Sequence, residues 1–176
     1  VDILSHVLPT NLGYIAAYVM REGFDVEILD YEQEPFVGSE FLKKIEEVNP
    51  GIVGFSCMTP TIVNGHKIAT LIKKHFPEIT TVVGGAHSSA LPEQTLREFP
   101  NFDIVVFQEG EATFLELCER MKDGKDFKGV AGTTIREGDS VIKEKERPFI
   151  NNLDDIPFPA RELYQTSQKF RGHSSR

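Results

Sequence analysis

"GIVGFSCMTPT", Gly51 to Thr61, is the stretch on which the reading of this chain turns. Ile52, Val53 and Phe55 are apolar with little alternation, the composition of a strand covered on both faces. The run then breaks into Ser56, Cys57, Met58, Thr59 and Pro60. A helical stripe follows at Ile62, Ile68, Ala69, Leu71 and Ile72, with Pro77 as its stop. One strand, one loop and one helix therefore fill this part of the chain. The same unit recurs around "VDIL" (1–4), "DVEILD" (25–30), "TTVVGG" (80–85) and "FDIVVF" (102–107). Helices are predicted between these runs, near 12–22, 39–48, 92–98 and 111–122.

Strands that alternate with helices in this way predict an α/β fold. The expected architecture is a doubly wound, Rossmann- or flavodoxin-like sheet of five parallel strands with helices on both faces. "AGTTIRE" and "SVIKEK" flank Gly138–Asp139 and predict a small β-hairpin after it. From Arg147 the composition changes to "RPFINNLDDIPFPARELYQTSQKFRGHSSR", with three prolines and a basic end. That segment reads as a linker or docking arm towards a further domain, so the expected division is 1–146 and 147–176.

Composition narrows the classes of function. The chain has 176 residues, 40% of them hydrophobic, and a net charge of −8. It is long enough for one full core, and its acidity argues against nucleic acid as a partner. No apolar run approaches the roughly 20 residues a membrane span needs, so no membrane partner is expected. Cys57 and Cys118 form neither a CxxC pair nor a disulfide framework, which points to a reducing, cytoplasmic setting. Two thiols are also too few to hold an iron–sulfur cluster.

In an open doubly wound sheet, ligands bind beyond the carboxyl ends of the strands. "HVLPTNLG", "SCMTPT", "GGAHSSALPE" and "QEGEAT" follow four of those ends, and all are rich in small or polar residues. Gly84–Gly85 lets a backbone or a flat ligand approach closely, or makes a tight turn. Neither a GxxxxGK[ST] nor a GxGxxG pattern is present, so the usual grips on nucleotide phosphates are missing. Ser56 and Thr59 suit the polar edge of a ligand or their own turn, and Cys57 reads as a small buried hydrophobe. Met58 reads as packing, and His87 as a ligand contact or a turn residue. His6, His66, His75 and His173 show no metal-binding spacing. Glu109 and Glu111 flank Gly110 ahead of a helix, where its dipole favours acidic groups. No nucleophile–base pair can be read from the spacing.

These segments together resemble the cobalamin-binding domain found at the N-terminus of many radical S-adenosylmethionine enzymes. The resemblance rests on "LGYIAAYVMREGFDVEILD", "VGFSCMTPTI", "VVGGAHSSALPE", "FQEGEATFLEL" and "LDDIPFPAR", in that order. Ser56–Cys57–Met58 is similar to the family's SxL, with Met in place of Leu, and Gly84–Gly85 to its GG. With Gly13 set on the last glycine of DxHxxG, Leu8 falls at the aspartate and Thr10 at the histidine. The resemblance therefore implies cobalamin binding with no histidine on cobalt.

It assigns Thr10, Asn11, Gly13, Ser56, Cys57, Met58, Thr59, Gly84, Gly85, His87, Glu109 and Gly110 to the cofactor. Ser56 and Thr59, with the small backbone around Cys57 and Met58, would line the corrin's lower side and a slot for its nucleotide tail. It further implies a C-terminal barrel with a 4Fe–4S cluster on CxxxCxxC and S-adenosylmethionine. Such enzymes transfer methyl groups or close rings, as the anaerobic magnesium-protoporphyrin IX monomethyl ester cyclase type does. This chain has no CxxxCxxC, so it is expected to bind and not to turn over. Two other readings stay open: an interaction domain of the same fold without a cofactor, and a receiver-like signalling domain. The latter needs an aspartate where Ser56 stands.

Overall fold

The computed structural model describes residues 9–31 and 36–164. The chain divides into two compact units, one of residues 1–36 with 154–176 and one of 37–153.

The smaller unit is built on α1, Thr10–Arg21. Gly13, Ala16 and Val19 are buried along it at three-residue spacing, the face a helix presents when small side chains let a neighbour come close. Ala16 packs with Ile28, Ala160 and Tyr164. The Arg21 guanidinium adds a hydrogen bond to the Asp155 carbonyl at 2.7 Å. The strand expected at 25–30 is not formed, although Ile28 is buried and Asp25 and Glu27 stay exposed. A strand exists through its ladder, and residues 25–30 have no ladder partner among the described residues. The predicted strand at 1–4 lies outside the described residues.

The larger unit opens with α2, Gly38–Val48, whose C-cap Asn49 takes a left-handed φ of 47° ahead of Pro50. Next come β1 (Ile52–Ser56), α3 (Ile62–His75) and β2 (Thr80–Gly84). α4 (Ala86–Ala90) and α5 (Pro92–Glu98) precede β3 (Ile104–Val106), and α6 (Glu111–Lys122) follows it. β4 (Thr133–Glu137) and β5 (Ser140–Lys143) complete the sheet, whose order is β1-β2-β3-β4-β5. β1, β2 and β3 run parallel. β4 is antiparallel to β3, and β5 to β4.

Of the five parallel strands expected, the runs at 51–56, 80–85 and 102–107 form β1, β2 and β3, and the five-stranded sheet is mixed instead of wholly parallel. The strands on either side of Gly138–Asp139 supply two of the five by pairing onto the exposed side of β3. A turn of two residues can only return the chain antiparallel.

Two cores explain the unbroken apolar runs. Successive strand residues point to opposite faces, so Val83 and Val105 join Ile62, Ala69, Leu96 and Phe102 on one side. Val82, Ile104 and Val106 join Leu117, Val130 and Ile135 on the other. Both faces are covered, which removes the need for polar positions within β2 and β3. Gly54 fits the same logic, because a Cβ there would lie 3.2 Å from the Phe114 ring of α6.

Candidate functional site

The carboxyl ends of β1, β2 and β3 carry three loops to one edge of the larger unit. Ser56 and Gly84 are register partners at the ends of β1 and β2. Beyond them the Cys57 N–H donates to the Gly84 carbonyl at 2.9 Å, carrying the pairing one step further. Gly85 adopts φ 98°, and a Cβ there would fall 2.5 Å from the Cys57 carbonyl oxygen. The glycine pair thus permits two backbones to touch, a closer demand than a turn alone makes. Gly84 is different: a Cβ there would meet only the Val106 carbonyl, at 3.5 Å.

The loop after β1 is fixed from both sides. The Cys57 side chain is buried in the core, 4% exposed. Burial pushes its thiol up to about 11, against a smaller opposing effect of the Thr61 hydrogen bond. A neutral thiol at physiological pH makes Cys57 a packing group. Thr61 locks the next turn, with its Oγ1 accepting from the Met58 N–H at 2.9 Å and donating to the Met58 carbonyl at 3.1 Å. The Met58 side chain is left 57% exposed.

Short side chains tie this loop to its neighbours. Thr59 Oγ1 lies 3.2 Å from His87 Nδ1 on α4. From the same helix, Ser89 Oγ accepts the Gln108 N–H at 3.1 Å in the loop after β3. Glu109 Oε2 in turn accepts the Ile150 N–H at 2.8 Å. Gly110 caps α6, its carbonyl accepting from Phe114 N–H at 2.7 Å, and Glu111 stands in the first turn.

The structure therefore brings Ser56, Cys57, Met58, Thr59, Gly84, Gly85 and His87 together, with Glu109 and Gly110 joined to them through Ser89. Thr10, Asn11 and Gly13 belong to the other unit, in the first turns of α1. There Gly13 is a packing position: a Cβ would collide with the Tyr164 hydroxyl, and the Gly13 carbonyl accepts the Ala160 N–H at 3.0 Å. Thr61 and Ser89 were not singled out by sequence. Their only sequence signal is a hydroxyl inside a loop already marked as polar. Among the described residues no cluster of three His, Cys, Asp or Glu is arranged to hold a metal ion. No helix there is long and apolar enough to cross a membrane.

The B12 binding domain family model matches residues 2–118. An uncharacterised methyltransferase of Pyrococcus horikoshii is 37% identical over 155 residues, covering 88% of this chain and 34% of that protein. The anaerobic magnesium-protoporphyrin IX monomethyl ester cyclase of Rubrivivax gelatinosus is 31% identical over 160 residues, covering 88% of this chain and 29% of that protein. The cobalamin-dependent S-adenosylmethionine radical enzyme OxsB, solved with aqua-cobalamin and S-adenosylmethionine, superposes with a TM-score of 0.75 at 23% identity. That match covers 89% of this chain and 22% of OxsB, and it establishes the shared fold. The chain spans about a third of the length of the curated relatives it matches. It belongs to the B12 binding domain family.

Proposed function

We propose that this chain is the cobalamin-holding part of a longer, cytoplasmic radical S-adenosylmethionine enzyme that transfers a methyl group or closes a ring. The observation that carries the reading is the side-chain-poor edge between β1 and β2. Ser56 and Gly84 put little bulk at the two strand ends, Gly85 lets the Cys57 backbone close against them, and Thr59 follows in the same loop. A large, rigid, heteroaromatic cofactor needs such a surface. The residues present fit it.

Ser56, Met58, Thr59 and His87 would contact the cofactor, with Cys57, Gly84 and Gly85 shaping the floor beneath them. Glu109 and Gly110 would close one side. Cobalamin, when bound, supplies a cobalt centre that can carry a methyl group, while the protein supplies placement. Thr10 stands where the family's histidine aligns, so that position would offer cobalt no imidazole. Residues 1–146 form the binding region and 147–176 the path to a C-terminal barrel that holds a 4Fe–4S cluster and S-adenosylmethionine. The unpaired state of Cys57 and Cys118 supports the cytoplasmic setting.

Titration of the purified chain with hydroxocobalamin and cob(II)alamin, followed by visible absorption and electron paramagnetic resonance, tests the proposal. One equivalent should bind, with no nitrogen splitting in the cob(II)alamin spectrum. Failure to retain any cobalamin would favour an interaction domain of the same fold. Nitrogen splitting would place a histidine or the nucleotide tail on cobalt.

A further inference from the structure

Gln108, two residues beyond β3, has φ 63° and is one of two non-glycine residues in the described chain with positive φ. Asn49, the other, has a local reason, since asparagine at a helix C-cap commonly takes this conformation. Gln108 caps no helix. It is exposed, and its carboxamide makes no hydrogen bond among the described residues. The strain is held from outside, by Ser89 Oγ accepting the Gln108 N–H at 3.1 Å. Glycine would fit the same backbone without strain, and a strained residue kept at a ligand edge is a candidate for function.

We propose that Gln108 is a specificity-determining residue that reads the peripheral carboxamides of a corrinoid. The inference rests on the cobalamin reading above. A primary carboxamide carries both a donor and an acceptor, so two of them pair through reciprocal N–H···O=C bonds. The corrin rim is lined with such amides, and hydrolysis of one to a carboxylate removes the donor half of the pair. Gln108 therefore favours the fully amidated corrinoid over its acid derivatives. The left-handed backbone sets the direction in which the carboxamide leaves the edge.

The test compares the unaltered chain with Gln108→Gly and Gln108→Asn, titrated with hydroxocobalamin and with its isomeric monocarboxylic acids. Gln108→Gly should raise Tm by about 3 °C through relief of strain. It should also weaken hydroxocobalamin binding about tenfold, the loss of one paired amide. The unaltered chain should bind one acid isomer about tenfold more weakly than hydroxocobalamin, and Gln108→Gly should erase that difference. Gln108→Asn keeps a residue that tolerates this backbone but shortens the reach, and it should lose the discrimination as well. Equal affinity of all three proteins for hydroxocobalamin, or discrimination that survives Gln108→Gly, overturns the assignment to Gln108 alone. No binding by the unaltered chain overturns the cobalamin reading and this inference with it.

Discussion

The two edges of the sheet in the larger unit use similar residues for different ends. At the amino edge, Asp103 Oδ2 accepts from the Thr81 N–H at 2.7 Å and its hydroxyl at 2.9 Å, and pairs with Lys73 Nζ at 2.6 Å. Asn101 joins the same network through Thr81 and Thr70. The polar atoms there are spent on one another. At the carboxyl edge the hydrogen bonds fix the loop backbones, and the Met58 side chain and the Gln108 carboxamide are left facing outward. A hydroxyl or carboxylate consumed within a closed network belongs to the scaffold. Groups that fix a backbone and leave their neighbours presented belong to a binding edge.

Gly84 and Gly85 offer the most severe test of that contrast. Gly85→Ala meets the Cys57 backbone at 2.5 Å and forces a Cβ onto φ 98°. The neighbour is main chain and cannot swing away, so about 3–5 kcal/mol of stability should be lost. Gly84→Ala meets only one oxygen at 3.5 Å and should cost less than about 1 kcal/mol. Urea unfolding of both variants measures the difference. Comparable costs would mean that the loops can separate, and the backbone contact would lose its place in the argument.

Cys57 sharpens the contrast, because it lies on the carboxyl side in sequence while its sulfur belongs to the core. Burial pushes the thiols of Cys57 and Cys118 from 9.0 up to about 11, with the Glu119 charge adding to the effect at Cys118. A raised folded-state value means that the unfolded chain gives up its protons first. The stability tied to the neutral thiols is thus fully present below about pH 9 and lost as pH rises through about 11. The loss amounts to about 2–3 kcal/mol per thiol. Unfolding free energy measured from pH 8 to 11 should fall accordingly, and fall less in a variant with alanine at both positions. Rapid alkylation of native Cys57 at pH 8 would contradict the burial.

The strand–helix alternation was legible because strands buried on both faces cannot afford polar positions. β1, β2, α3, α5 and α6 lie where the pattern puts them for that reason. α4 was not legible, since five residues are too few to show a helical period, yet it carries both His87 and Ser89. The β-branched run at 25–30 looked like a strand because propensity is local, whereas a strand needs a partner whose identity no local run contains. The antiparallel return of β5 onto β4 followed from their turn, but the pairing and direction of β4 against β3 are a long-range choice. At the binding edge, residue types were legible and roles were not. Gly85 and Gly13 look alike in sequence, but one lets two backbones touch and the other receives a tyrosine. The backbone of Gln108 leaves no mark in its identity.

At the amino edge, Asp103→Ala would strip three donors of a shared acceptor. Lys73 and Asp103 are 20% and 33% exposed at their side chains, so water replaces part of what is lost. A destabilisation of about 2 kcal/mol is expected. The sharper expectation is selectivity: at a temperature where the variant stays folded, its hydroxocobalamin affinity should match that of the unaltered chain. Weakened binding would show that the two edges are coupled and that the division of labour between them is wrong.

Thr134 fits neither class, and it carries the smallest expected effect. It is fully buried, and its Oγ1 has no hydrogen-bond partner among the described residues. The hydroxyl is neither consumed in a network nor presented to anything. Its strand neighbour Val105 belongs to the apolar cluster with Phe102 and Phe107. An unpaired hydroxyl in such surroundings carries its desolvation cost with no return, and valine fills the same volume. Thr134→Val should therefore stabilise the chain by about 1 kcal/mol, seen as a rise in Tm of about 3 °C, with hydroxocobalamin binding unchanged. A fall in Tm would mean that the hydroxyl has a partner. Weakened binding with a raised Tm would mean that the sheet's centre helps to set the geometry of the loops. The contrast between the edges would then have to be drawn between layers of the sheet instead.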